Sequence, residues 1–257
     1  MRVLITGSSS GIGYEVGVRL AKAGHLVYMT GRTVKEVYYL RQKLQREGVN
    51  AVCLKLDLLT DDIYLANSLD IDCLFNHAGV GVSGSMLTTD DKALRDVYEV
   101  NFFRSFLFLK LVSQHMIKRH LNGKIFVTSS LLALYPLPFL GIYSSSKAAI
   151  SSLVKAMQIE SRVLDLSLSF CLIEMGAYST GFNQFMVDGI EKYQALNGKF
   201  LSIYNYQKKL FSILESQNID NLANNIVKEM NKNKPRKILR LPWLQAILLK
   251  VYFVFFG

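Results

Sequence analysis

The sequence predicts a single α/β domain built on a doubly wound parallel sheet of about seven strands flanked by helices. Three observations predict it. Short apolar runs alternate with longer stretches of helical spacing from the first residues onward, the pattern of strand–helix–strand units. Several short runs are unbroken Val, Ile, Leu and Phe, as strands buried on both faces require. The composition, 50% hydrophobic and 19% charged over 257 residues, is that of a folding chain with a sizeable core. One sheet covered on both faces absorbs that length, so residues 1–257 are read as one domain.

Strands are expected at 2–6, 25–30, 51–56, 71–75, 123–128, 167–173 and 236–241, and helices at 11–23, 33–47, 90–120, 143–164 and 219–231. Seven strands with such crossovers fit a Rossmann-like sheet. Two regions break the alternation. Residues 177–215, rich in Tyr, Phe and Met, are read as a lid over a substrate, and 241–257 as an apolar C-terminal tail.

Met1-Arg2 leads at once into the apolar run Val3-Leu4-Ile5, so no secretory leader is expected. Cys53, Cys73 and Cys171 lie far apart within apolar stretches and form no C-x-x-C pair. They read as core thiols of a reducing, cytoplasmic compartment, and no metal site is expected. The net charge is +10, and ten basic against three acidic residues from Lys199 onward supply +7 of it. No nucleic-acid-binding motif accompanies the excess, which leaves a solvated lysine-rich surface or a functional basic face.

The first strand runs into Thr6-Gly7-Ser8-Ser9-Ser10-Gly11-Ile12-Gly13 and then a helix. Glycines there let backbone approach a pyrophosphate, and the helix N-terminus offers unpaired N–H groups to the anion. Gly7, Ser9, Gly11, Ile12 and Gly13 are the candidate contacts. The second strand ends Thr30-Gly31-Arg32, without the carboxylate that would accept a ribose 2′-hydroxyl and with a guanidinium that forks onto phosphate. NADP(H) is therefore the expected cofactor. Asp57 after the third strand, and Asn76, Ala78 and Gly79 after the fourth, fall at the ligand-binding edge of such a sheet.

Tyr143 and Lys147 stand at i, i+4 on one face of a helix, where a cation lowers a phenol pKa and readies it for proton exchange. Tyr39/Lys43 and Tyr204/Lys208 share that spacing. Only Tyr143 follows a strand ending in hydroxyls, Thr128-Ser129-Ser130.

In order and spacing, Thr6-Gly7-x-x-x-Gly11-x-Gly13, Asp57, Asn76-x-Ala78-Gly79, Asn101, Ser130 and Tyr143-x-x-x-Lys147 resemble the short-chain dehydrogenase/reductase family over residues 2 to 181. The resemblance implies that Tyr143 is the general acid/base and that Lys147 lowers its pKa and holds the nicotinamide ribose. It further implies that Ser130 orients the substrate oxygen and that Asn101 supports a proton relay. His77 stands where the family commonly has asparagine, and Met175-Gly176 where Pro-Gly is usual, while Gly176 and Thr180 are retained as cofactor-side residues. Residues 173–182 resemble the steroid and retinol dehydrogenase branch, which implies lipophilic substrates.

An apolar pocket fits that implication. Phe182, Phe185, Met186, Tyr193, Phe200, Tyr204, Tyr206 and Phe211 on one side face the run from Leu131 to Ile142 on the other, although the same side chains could build core or a subunit contact. The tail 241–257 is too short to span a bilayer, so a membrane interface must cover it peripherally, or protein must, its own or a twin subunit's in a homo-oligomer. The expected activity is interconversion of a carbonyl and an alcohol on a small lipophilic substrate. Epimerisation or dehydration on the same scaffold, or nucleotide sensing without catalysis, are the alternatives.

Overall fold

A computed structural model describes residues 1–60, 63, 68–188 and 198–256. The seven expected strands form: β1 (Arg2–Ile5), β2 (Leu26–Gly31), β3 (Val52–Lys55), β4 (Cys73–Asn76), β5 (Gly123–Ser130), β6 (Leu168–Met175) and β7 (Ile238–Leu241). They pair in the order β3-β2-β1-β4-β5-β6-β7, and every pairing is parallel. Parallel neighbours cannot be joined by tight turns, so each crossover carries the chain over one face. The central strands are accordingly buried over most of their length, and Val3, Ile5, Cys73, Phe75 and Leu74 have no more than 1% exposure between the two helical layers.

Along the chain the helices are α1 (Gly11–Lys22), α2 (Val34–Arg46), α3 (Asp91–Tyr98), α4 (Ser105–Lys118), α5 (Gly141–Val163), α6 (Phe182–Asp188), α7 (Gly198–Leu214), α8 (Ile219–Met230) and α9 (Trp243–Phe256). One core cluster joins α1, α2 and α8 to the sheet through Val16, Leu20, Leu40 and Ile226. A second joins α4 and α5 to the opposite face through Phe108, Val112, Ile150 and Val154. All three cysteines are buried and unpaired, as expected of core thiols.

Two expectations change. Residues 90–120 are not one regular helix, because a π-helical segment at Glu99–Arg104 separates α3 from α4. Wide turns of this kind occur where a side chain must be re-aimed, and this one carries Asn101, buried to 2% exposure. The apolar tail folds as the regular helix α9, immediately after β7. No described helix is long and apolar enough to cross a membrane.

Strand order reverses direction between β1 and β4, the point at which a crevice opens beyond the carboxyl ends of a doubly wound sheet. The glycine turn after β1 and the Asn76–Gly79 segment after β4 both lie there.

Candidate active site

The glycine turn is built for close approach. Gly7 has φ +66° and Gly11 φ +57°, conformations that a Cβ resists. A Cβ on Gly7 would come 2.9 Å from the Ala78 backbone, and one on Gly13 would overlap the Gly7 carbonyl oxygen. Thr6 locks the turn to β4: its hydroxyl donates to Asn76 Oδ1 (3.0 Å) and accepts from the His77 and Ala78 amides (2.9 and 3.0 Å). No side chain caps α1, whose N-cap is Ser10. Its first-turn N–H groups therefore face the crevice ready for an anion, and the cradle fits a dinucleotide pyrophosphate.

Arg32, at the end of β2, is more than half exposed, and its guanidinium lies 3.6 Å from Glu36. The same carboxylate accepts from the Arg32 amide at 2.7 Å and from the Ser9 hydroxyl at 3.3 Å. Asp57 turns the chain after β3 by accepting from the Leu59 amide at 2.9 Å.

At the other end of the crevice β5 delivers Ser130 and α5 delivers Tyr143 and Lys147. The start of α5 is fastened to β5. The Ser129 hydroxyl bonds the Ser151 hydroxyl at 2.6 Å and the Lys147 carbonyl at 3.2 Å, and Lys147 Nζ donates to the Thr128 carbonyl at 3.2 Å. This holds the ammonium 5.9 Å from the Tyr143 ring centre.

The electrostatics differ from the sequence expectation. Burial pushes the Tyr143 phenol up to about 12, with the Ser130 hydroxyl pulling the other way. Burial also pushes the Lys147 ammonium down to about 8. Desolvation thus outweighs the mutual effect that i, i+4 spacing suggests, and Tyr143 keeps its proton at neutral pH.

Asn101 is buried and bonded internally. Its Oδ1 accepts from the Val80 amide (2.9 Å), and its Nδ2 donates to the Val80 carbonyl (2.8 Å) and the Ser146 hydroxyl (3.0 Å). Asn76 is likewise internal, donating to Ser105 Oγ at 2.6 Å. The residues brought together around one cavity of ≈ 810 Å³ are Gly7, Ser9, Gly11, Ile12, Ala78, Gly79, Ser130, Tyr143, Lys147, Gly176 and Thr180.

Residues 1–188 match the family model for short chain dehydrogenase. The chain belongs to that family. It is 29% identical over 180 residues to 3-ketodihydrosphingosine reductase of Bacteroides thetaiotaomicron, which covers 70% of this chain and 65% of that one. It is 31% identical over 164 residues to NADPH-dependent 1-acyldihydroxyacetone phosphate reductase of Saccharomyces cerevisiae, covering 61% and 54%. Human retinol dehydrogenase 8 is 30% identical over 190 residues, covering 70% and 60%. The chain therefore spans less than two thirds of the length of these relatives. Its fold matches a short-chain dehydrogenase from Streptomyces avermitilis with a TM-score of 0.77 at 21% identity, covering 98% and 92% of the two chains.

Most of the rest of the cavity is apolar. Leu131, Leu132, Leu137, Pro138, Phe139 and Leu140 line it after Ser130, and Phe182, Phe185, Met186 and Tyr206 line it from α6 and α7. Tyr193 lies outside the described residues, as do the side chains of Phe200, Tyr204 and Phe211. Of the two competing Tyr/Lys pairs, Tyr39 is exposed and Lys43 sits 3.5 Å over the Tyr14 ring instead, while Lys208 pairs with Asp188 at 3.1 Å.

Sequence reasoning missed α9 as a wall of this cavity, which Gln245, Leu248, Leu249 and Tyr252 line. Gln245 accepts from the Ala177 amide (2.9 Å) and donates to the Ala177 and Leu214 carbonyls (3.2 and 2.7 Å), tying α9 to the loop after β6. A lone amide within an apolar helix was the available signal, since burying one without partners is costly.

Proposed function

We propose that this dehydrogenase is an NADP(H)-dependent reductase acting on a small lipophilic carbonyl compound, with Tyr143 as the proton donor. The observation that carries the reading is Tyr143 itself: a buried phenol held protonated, beside Ser130 and Lys147, in an apolar cavity. A protonated phenol suits donation to the oxygen of a carbonyl undergoing reduction.

The bound nicotinamide supplies the hydride. Gly7 to Gly13 and the first turn of α1 hold the pyrophosphate, and Arg32 recognises the 2′-phosphate. Lys147 would hold the nicotinamide ribose when the cofactor is bound, and it keeps positive charge near Tyr143. Ser130 donates to the substrate oxygen while the Tyr143 hydroxyl gives it a proton, and the leucines of 131–140 with Phe182 and Met186 exclude water. Relatives named as an NADPH-dependent reductase of an acyl-bearing substrate and as retinol dehydrogenase agree with this choice of cofactor and substrate class.

The test is NADPH absorbance followed against a panel of lipophilic ketones and aldehydes, with the chain and its Tyr143→Phe variant. Turnover that falls by at least about 10²-fold in the variant, with NADPH still bound, is the expected result. Bound NADPH with no oxidation by any member of the panel favours epimerisation, dehydration or sensing. Equal turnover in the variant removes Tyr143 from the chemistry.

A further inference from the structure

Helix α9 has two apolar faces with different neighbours. The inward face lines the cavity through Gln245, Leu249 and Tyr252, and Phe253 meets the Tyr135 ring at 6.0 Å. The outward face carries Leu244, Ile247, Val251 and Val254 at helical spacing, each between 48% and 72% exposed, and Leu248 stands at the border between that face and the rim of the cavity. No polar residue interrupts that stripe, and Trp243 and Lys250 stand exposed beside it. A continuous aliphatic stripe of this kind on a helix fixed through its other face marks an interaction surface.

We propose that the outward face of α9 docks on an anionic lipid surface, so that the helix lies in the interface with the cleft on its protein side. Length fixes the orientation. Fourteen residues rise about 21 Å, short of a bilayer's hydrocarbon core, so α9 lies along the surface rather than crossing it. Charge selects the occupant. Of the six basic residues from Met230 to Gly257, Lys232 and Arg236 pair with Glu229 and Arg240 pairs with Glu174, while Lys234, Lys237 and Lys250 are exposed. A second copy docking through the same face would bring Lys250 toward its own twin, with no carboxylate on α9 to pair it. Anionic headgroups supply that missing charge, and Trp243 suits the headgroup level. The docked helix separates lipid from the cavity, which gives the lipophilic substrate a short path from the bilayer. That last consequence rests on the function proposed above, whereas the docking does not.

The experiment is co-sedimentation of the full chain with phosphatidylcholine vesicles, with and without phosphatidylserine, at low and high salt. Substrate and cofactor are left out, so the outcome is independent of the reductase assay. The chain is expected to pellet with serine-containing vesicles and to be partly released by salt. A Leu244→Ser/Ile247→Ser/Val251→Ser variant, altered only at exposed positions, should stay in the supernatant with an unchanged melting temperature. Lys250→Gln, which leaves the apolar stripe intact, should bind about fivefold more weakly. Protein that stays in the supernatant under every condition overturns the proposal. So does a triple variant that pellets like its parent, or a dimer in sedimentation velocity that the triple variant dissolves while vesicles bind neither protein.

Discussion

Glu36 holds both ends of Arg32: one carboxylate oxygen accepts from the Arg32 backbone amide at 2.7 Å while the other lies 3.6 Å from its guanidinium. The Ser9 hydroxyl donates to the same carboxylate at 3.3 Å. A 2′-phosphate would call on these donors, and a carboxylate already on them repels it. On the function proposed above, Arg32 would draw the phosphate in and Glu36 would oppose it.

Two substitutions separate these effects. Arg32→Ala should weaken NADPH by roughly 1.5–3 kcal/mol, the scale of a hydrogen bond to a charged group, and leave NADH nearly unchanged. Glu36→Gln should move selectivity the other way, tightening NADPH relative to NADH by about tenfold or less, since the pair is partly exposed and solvent screens it. Dissociation constants for both cofactors, titrated by nicotinamide fluorescence, check this. Equal losses for NADPH and NADH on removing Arg32 would make it a support of the fold rather than a phosphate ligand.

Burial of the Lys147 ammonium carries a cost. Its pKa falls from the ordinary 10.5 to about 8 because burial disfavours the ammonium. The unfolded chain therefore binds more protons than the folded one between those values, and stability rises with pH across that window. Below pH 8 the whole penalty is present. Lys147→Met should raise stability at pH 7 by about 3 kcal/mol at most, less whatever the Thr128 carbonyl loses with its donor, and abolish the rise above pH 8. The same variant should lose nearly all turnover. Thermal melts from pH 7 to 10 alongside NADPH oxidation test both halves, and a variant no more stable than its parent would show the ammonium to be well solvated.

The strands were legible because a parallel sheet covered on both faces writes itself as unbroken apolar runs, and all seven fell within about two residues of their expected limits. Tyr143, Lys147 and Ser130 were legible because strand–turn–helix context distinguished them from pairs of equal spacing. Other features depend on three-dimensional neighbours. The break at Glu99–Arg104 leaves no mark on a helical pattern, since π and α turns bury similar stripes. Thr33 caps α2 by accepting from the Glu36 amide at 3.1 Å, while the Glu36 carboxylate reaches back to the Arg32 amide, a contact set by how the chain enters the helix. The direction of the Tyr143 shift turns on desolvation, which i, i+4 spacing does not contain. Helix α9 was read as needing a cover on an apolar tail, but one of its faces is a cavity wall.

His77 offers the last prediction. Its ring lies beneath the glycine turn, so close that a Cβ on Gly13 would come 3.0 Å from its Cδ2, and its Nδ1 bonds Thr128 Oγ1 at 2.9 Å. Burial, together with the Lys147 charge, pushes its pKa from 6.5 down to about 3. A base whose folded pKa is depressed stays neutral in the fold while the unfolded chain takes up a proton. Stability is therefore fully present above pH 6.5 and lost progressively as pH falls toward 3. Between pH 7 and pH 5 the loss from this residue should be about 2 kcal/mol. Replacing it with the residue more common in the family, His77→Asn, removes the titration and keeps a polar partner for Thr128. Urea unfolding at pH 7 and pH 5 should show the parent losing about 2 kcal/mol more than the variant over that interval. Parallel losses in the two proteins would mean that His77 is hydrated in solution and that acid sensitivity arises elsewhere.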